Sequence, residues 1–222
     1  MTRVGPHSWA GTLAALLVAV PIAAHASMPP DGAPANTPAQ TVDAALRDTI
    51  SALATPTDAV PTRSERLRLV ITRYFDVAQM GRNSVGAAWG LVAPAQQTQF
   101  LVTFETFLVT SYVGPLERAG DLRFGPARML DPTPASATDG ANGIARVRVD
   151  IVSTDGPPSA VLIALHRGDD GGYRIIDVAA EAVSLGHVLA ADFGAFLRRN
   201  GGRLDALVGA LQEKIAGTAR TP

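Results

Sequence analysis

The sequence predicts an α+β domain, with helices flanking a twisted four-stranded antiparallel sheet. Three observations carry this. Between Gln96 and Leu116, residues Phe100, Phe104, Phe107 and Leu108 recur at i, i+4, i+7 and i+8, the spacing of one helix face. Between Ala145 and Ile151, the apolar Ala145, Val147, Val149 and Ile151 alternate with Arg146, Arg148 and Asp150, the period of a strand with one covered face. From Ser184 the helical period returns, with Leu185, Val188, Leu189, Phe193, Phe196 and Leu197 on one stripe. Helices, then a meander, then helices is the order of a single α+β unit.

Each element has its own local cause. The first residues read as a secretory leader over 1–26: Arg3 is a positive n-region, Trp9 to Val20 an apolar core, and Ala24-His25-Ala26 a small-x-small cleavage site. A membrane anchor is the other reading of this segment, but the apolar run falls short of the ~20 residues that a span requires. Residues 27–40 are rich in Pro and Ala and are expected to be a disordered lead-in. A single domain then covers 41–217. It starts with a helix from Thr41 that ends before Pro56. Thr62 and Glu65 form a capping box ahead of a helix whose Leu67, Val70, Ile71, Tyr74 and Phe75 share a face. That face is expected to pack on the Phe100 helix. Asp76 to Met80 gives a short turn and Ser84 to Gly90 a helical piece, and Pro94 suits the first turn of the long helix.

After Gly114-Pro115 the pattern turns to strands. Leu122 to Leu130 is the first, with Pro126 favouring an edge position or a bulge. Residues 131–143 are a loop, and 145–151 form the second strand. Asp155 to Pro158 make a turn. Ala160 to Leu165 lack alternation and suit a central strand covered on both faces. Gly168 to Gly172 close a hairpin, Tyr173 to Val183 are the fourth strand, and Ser184 opens a helix that Asn200-Gly201-Gly202 stop. A last helix carries Leu204, Leu207, Val208, Leu211 and Ile215 on one face.

Composition excludes several functions. The chain has 222 residues, 47% hydrophobic and 18% charged, with a formal net charge of −1 and no Cys. No basic cluster offers a footprint for nucleic acid. Without Cys there is neither a lipidated N-terminus nor a disulfide frame. His166 and His187 have no partner at metal-ligand spacing, so no metal is expected. No Gly-x-Ser-x-Gly elbow and no phosphate-binding Gly pattern occurs, so no cofactor is expected either. One carboxylate pair, Asp177 and Glu181, admits two readings. It is either a general base in a cleft of a small enzyme acting on an apolar substrate, or a structural set in which Asp177 accepts hydrogen bonds and Glu181 caps the Ser184 helix.

Two blocks of sequence resemble a known family. Tyr74, Phe75, Asp76, Met80, Gly81, Arg82, Val85, Gly86, Trp89 and the run from Gln97 to Tyr112 form the first; Tyr173 to Val178 with Glu181 to Leu185 form the second. Both are similar to the toluene-tolerance family, which includes MlaC-type periplasmic phospholipid carriers and hopanoid-associated HpnM-like members. Where that family has Glu-Gly-Val-Ser, this chain has Glu181-Ala182-Val183-Ser184.

The resemblance implies a soluble periplasmic protein that is not an enzyme. It would hold acyl chains in an apolar cavity between sheet and helices. The expected helical lining is Trp89, Phe100, Phe104, Phe107, Leu108 and Tyr112, and the expected strand lining is Val147, Val149, Leu162, Ile176 and Val178. Its implied partners are a phospholipid or hopanoid-like lipid, an inner-membrane ABC/MCE-type complex and an outer-membrane lipoprotein complex. Spacing by itself does not separate such a cavity from a filled core, and an interaction module with a solid interior is the third reading.

Overall fold

The computed structural model describes residues 37–54, 56, 62–118, 123–130, 143–152 and 159–218. The expected leader, most of the lead-in, most of the 131–143 loop and the turn at 155–158 lie outside the described residues. Among these residues six helices and six short or long strands follow one another: α1 Pro38–Leu53, α2 Arg63–Tyr74, α3 Val77–Val85, a 3₁₀ turn Gly86–Leu91, α4 Pro94–Arg118, β1 Arg123–Phe124, β2 Arg128–Met129, β3 Ala145–Val152, β4 Ser159–Arg167, β5 Tyr173–Ala180, β6 Val183–Ser184, α5 Leu185–Arg199 and α6 Leu204–Thr218.

The helix starts obey local chemistry. Thr37 caps α1 by accepting the Gln40 N–H, and Pro38 fills the first turn, so this helix begins three residues before the expected Thr41. Thr62 and Glu65 complete the capping box of α2 in both directions. Asp76 caps α3, which runs on to Val85, and the second piece expected from Ser84 to Gly90 follows as the 3₁₀ turn Gly86–Leu91. Pro94 opens α4, which continues past Gly114-Pro115 to Arg118. No helix among the described residues is long and apolar enough to cross a membrane.

The sheet is antiparallel in the order β1-β3-β4-β5-β6, with β2 also pairing to β3. It therefore has six strands where four were expected. Both changes have a steric cause. Pro126 cannot donate to a ladder, so the expected edge strand is broken into β1 and β2 on either side of it. Glu181 and Ala182 adopt φ of 48° and 65°, which turns the fourth strand back as β6. Between β4 and β5 the register shifts: Leu165 opposes Ile175 while Ala164 opposes Asp177, leaving Ile176 as a bulge. The bulge puts Ile175 and Val178 on one face of the sheet, since their partners Leu165 and Ile163 share that face.

Apolar burial is divided between two large clusters. One lies between the sheet and α1 and α2, and contains Val147, Val149, Ile163, Leu165 and Ile175 against Val42, Ala45, Val70 and Tyr74. The other is wholly helical, built by α3, α4, α5 and α6 around Phe100, Phe104, Phe193 and Leu207. Here α4 packs chiefly on α6, and α3 on α5. A Cβ on Gly81 would stand 2.8 Å from Leu101 and 3.2 Å from Phe104, so glycine there lets α3 lie close against α4. The apolar face of α2 is shared. Leu67 meets Val109 of α4, so α2 does pack on the Phe100 helix as expected, while Val70 and Tyr74 turn to the sheet cluster.

Two tyrosines are held in their neutral form. Tyr74 donates to Asp48 Oδ2 at 2.7 Å, tying α2 to α1. Burial, then that bond and the Asp48 charge, push its pKa up to about 12. Burial, helped by the Asp192 charge, does the same to Tyr112, also to about 12. Both values lie above the ~10 of an unfolded chain. Their contribution to stability is therefore complete below pH ~10 and is lost as pH rises toward 12. Urea denaturation between pH 9 and pH 12 checks this. Stability is expected to fall across that window, and the fall to be shallower in Tyr112→Phe; identical slopes would contradict the assignment.

Candidate functional site

Six of the residues expected to line an apolar interior come together on one side of the molecule. Phe100 and Phe104 are fully buried, and Phe107 and Leu108 nearly so. The Phe100 and Phe104 rings stack with centroids 5.6 Å apart, and Phe193 meets them edge-on at 6.5 and 6.2 Å. Trp89 leans its edge on Phe100 at 6.4 Å, and its carbonyl accepts the Gln97 Nε2 bond at 2.9 Å. Tyr112 is half-buried at the border of the same cluster. Next to it lies a cleft of about 10 Å³ touching Phe107, Ser111, Asp192 and Lys214. The Lys214 ammonium sits 5.7 Å from the Phe107 ring centroid. Burial lowers its pKa and Asp192 works against that shift.

The strand residues divide differently. Val147 and Val149 are buried in the sheet cluster and Val178 packs against it. Leu162 is 36% exposed, because β4 buries Ile163 and Leu165 and turns Leu162 to the other face. The expectation that β4 is covered on both sides is corrected by this alternation. Ile176 is the bulge residue, and Ile175 takes the buried position expected for it. A strict alternation counted from the hairpin cannot foresee a bulge, so the inward position expected at Ile176 falls to Ile175 while Val178 keeps its own.

The helical wall and the sheet wall thus belong to separate clusters, and one residue is common to the surroundings of both among the described residues. Phe75 packs against both. Its backbone forms a parallel bridge with Ile175, and the Asp76 N–H donates to the Ile175 carbonyl at 2.9 Å. Asp76 Oδ1 accepts the Gln79 N–H at 2.7 Å while Oδ2 lies 2.9 Å from His166 Nε2. One carboxylate therefore caps α3 and fastens it to β4. The sequence carries Phe75 and Asp76 inside the resembling block but gives no sign of His166 as the partner, which is 90 residues away.

Asp177 and Glu181 do not form a working pair. Asp177 accepts from the Ser184 hydroxyl at 2.6 Å and from the Gly186 N–H at 2.8 Å. Ser184 in turn accepts the His187 N–H, so Asp177 anchors the first turn of α5. Glu181 is exposed on the left-handed turn, and the helix-capping role expected of it belongs to Ser184 with Asp177 behind. Arg174, three residues before Asp177, donates to Asp170 and to the Arg73 carbonyl. No group of three or more His, Cys, Asp or Glu among the described residues is placed to hold a metal. A second, open cleft of about 190 Å³ lies between α1 and α2, touching Asp48, Arg66, Leu69 and Arg73.

Three comparisons place this architecture. A comparison with curated proteins finds no match. Among solved structures, a phospholipid-binding protein from Ralstonia solanacearum, determined in complex with a phospholipid, is similar with a TM-score of 0.66 and 21% identity. The alignment covers 85% of this chain and 100% of that one. At that identity the likeness is one of fold. The family described as MlaC protein matches over residues 40–213, and the chain belongs to that family.

Proposed function

We propose that the protein is a soluble lipid carrier of the periplasm, exported by cleavage of residues 1–26. It holds the acyl chains of a phospholipid, or of a hopanoid-like lipid, in its apolar interior. It passes them between an inner-membrane ABC/MCE-type complex and an outer-membrane lipoprotein complex. The observation that carries this reading is a fold shared, over the whole of the other chain, with a protein solved around a phospholipid. Family membership over 40–213 supports it from the sequence side.

The tails lie between the two apolar clusters, along the seam that Phe75 spans. Phe75 packs against both clusters, so a lipid enters by displacing that side chain and not by filling a standing pocket. Transfer free energy drives that exchange. Each CH₂ moved out of water gains roughly 0.8 kcal/mol, so ~30 of them gain on the order of 25 kcal/mol, set against the contacts that open. Carrying a lipid across water needs no bond chemistry, and the engaged Asp177 is consistent with that.

Native mass spectrometry of gently purified protein is expected to show an added mass of lipid size that is exchanged on incubation with phospholipid vesicles. Protein that carries no lipid and takes none from vesicles would overturn the proposal. Asp177→Asn is expected to lower stability by ~1 kcal/mol through a weaker helix start while leaving lipid content unchanged. Loss of a measurable turnover in that variant, with lipid retained, would instead point to catalysis.

A further inference from the structure

One face of the sheet gathers arginines, although the chain as a whole has a formal net charge of −1. On β3, Val147 and Val149 are buried in the sheet cluster, so Arg146 and Arg148 point to the opposite side. Register supplies their neighbours. Arg128 of β2 stands directly across from Arg148, and Leu162 of β4 flanks Arg148 on its other side. Ala164 lies across from Arg146, and Ala160 across from Asp150. Three arginines from two strands therefore border a floor made of one leucine between two alanines.

Among the described residues this strip has no helix lying on it. α1 and α2 cover the opposite face, and α5 begins against β5, where Asp177 holds it. Leu162 is 36% exposed, and Arg128 and Arg148 are exposed as well. Like charges directly opposite one another on neighbouring strands destabilise a sheet. Asp150 offsets part of this by accepting from Arg148 Nε at 2.8 Å. Arg128 makes no ion pair with a described residue.

We propose that the strip binds an acidic segment of another protein, laid along β4 with carboxylates on Arg128, Arg146 and Arg148 and an apolar side chain over Leu162. Charge complementarity selects an acidic occupant, since a carboxylate between Arg128 and Arg148 relieves the opposition that the free protein carries. The guanidinium fork also matches a carboxylate with two parallel hydrogen bonds. Relief selects a polypeptide. Arginine side chains outreach the leucine and the alanines, so the strip is a shallow trough with a basic wall. A planar anionic bilayer would meet the guanidinium groups first and leave Leu162 wet. A chain segment narrow enough to lie beside the arginines covers it, giving an apolar centre edged by charge, as protein interfaces have. The strip is on the face opposite Val149 and Ile163, so an occupant here leaves the seam proposed above for the acyl chains free.

Fluorescence anisotropy with a labelled amphipathic helix of Ala, Leu and Glu, and with its counterpart carrying Lys for Glu, tests the strip. The Glu peptide is expected to bind, more weakly as salt rises, and the Lys peptide not to bind. Arg128→Glu should weaken binding by roughly tenfold or more. The same variant should raise the thermal midpoint, because it places a carboxylate across from Arg148. Arg128→Gln should weaken binding less, and Arg47→Gln, at an exposed position of α1, should leave it unchanged. None of these readouts depends on bound lipid, so they stand or fall apart from the carrier reading. The proposal is overturned if the Glu peptide does not bind or the Lys peptide binds as well. It is equally overturned if Arg128→Glu binds like the wild type, if Arg47→Gln loses as much, or if phosphatidylglycerol vesicles displace the Glu peptide from the wild type.

Discussion

Two consecutive residues, Phe75 and Asp76, tie the helical half of the chain to the sheet. Phe75 contributes its ring to both apolar clusters and its backbone to a bridge with Ile175. Asp76 uses one oxygen to start α3 and the other to reach His166 on β4. Four demands therefore meet at one joint: helix termination, helix initiation, sheet edge pairing and a side-chain link across the fold. Two further links support it: Asp177 on β5 holds the first turn of α5, and Leu67 of α2 meets Val109 of α4.

The proposed carrier function requires a tightly packed protein to admit acyl chains. A single core that had to be hollowed out would lose its dispersion contacts throughout. Two cores that each stay intact, parting along one seam, lose only the contacts at the seam. The aromatic contacts of Phe100, Phe104 and Phe193 are internal to the helical cluster, and the pairing of Val147, Val149, Ile163 and Leu165 is internal to the sheet.

Much of this was legible in the sequence wherever the determinant is local. The capping box at Thr62 and Glu65, Pro94 at the head of α4 and the apolar stripe from Phe100 to Leu108 all stand in the structure as the spacing implies. What was not legible depends on pairing. The bulge at Ile176 arises from the register between β4 and β5, and neither strand alone specifies it. The inward role of Ile175, the outward turn of Leu162 and the division of the interior into two clusters follow from that register and from which helices cover which face. Asp177 was visible as a carboxylate in a suggestive place. Its actual work, holding the start of α5, could be seen only once β6 had folded back to bring Ser184 and Gly186 beside it. The family resemblance supplied what periodicity could not, and the match over 40–213 agrees with it.

The central claim is that the interior opens between the two clusters to take acyl chains. A crystal structure of the protein loaded with a phospholipid measures this directly. The account expects the tails to lie between the Phe104 side and the sheet face of Val149 and Ile163, with Phe75 displaced and the ring contacts within the helical cluster kept. Tails found elsewhere, with Phe75 still packed against both clusters, would contradict it.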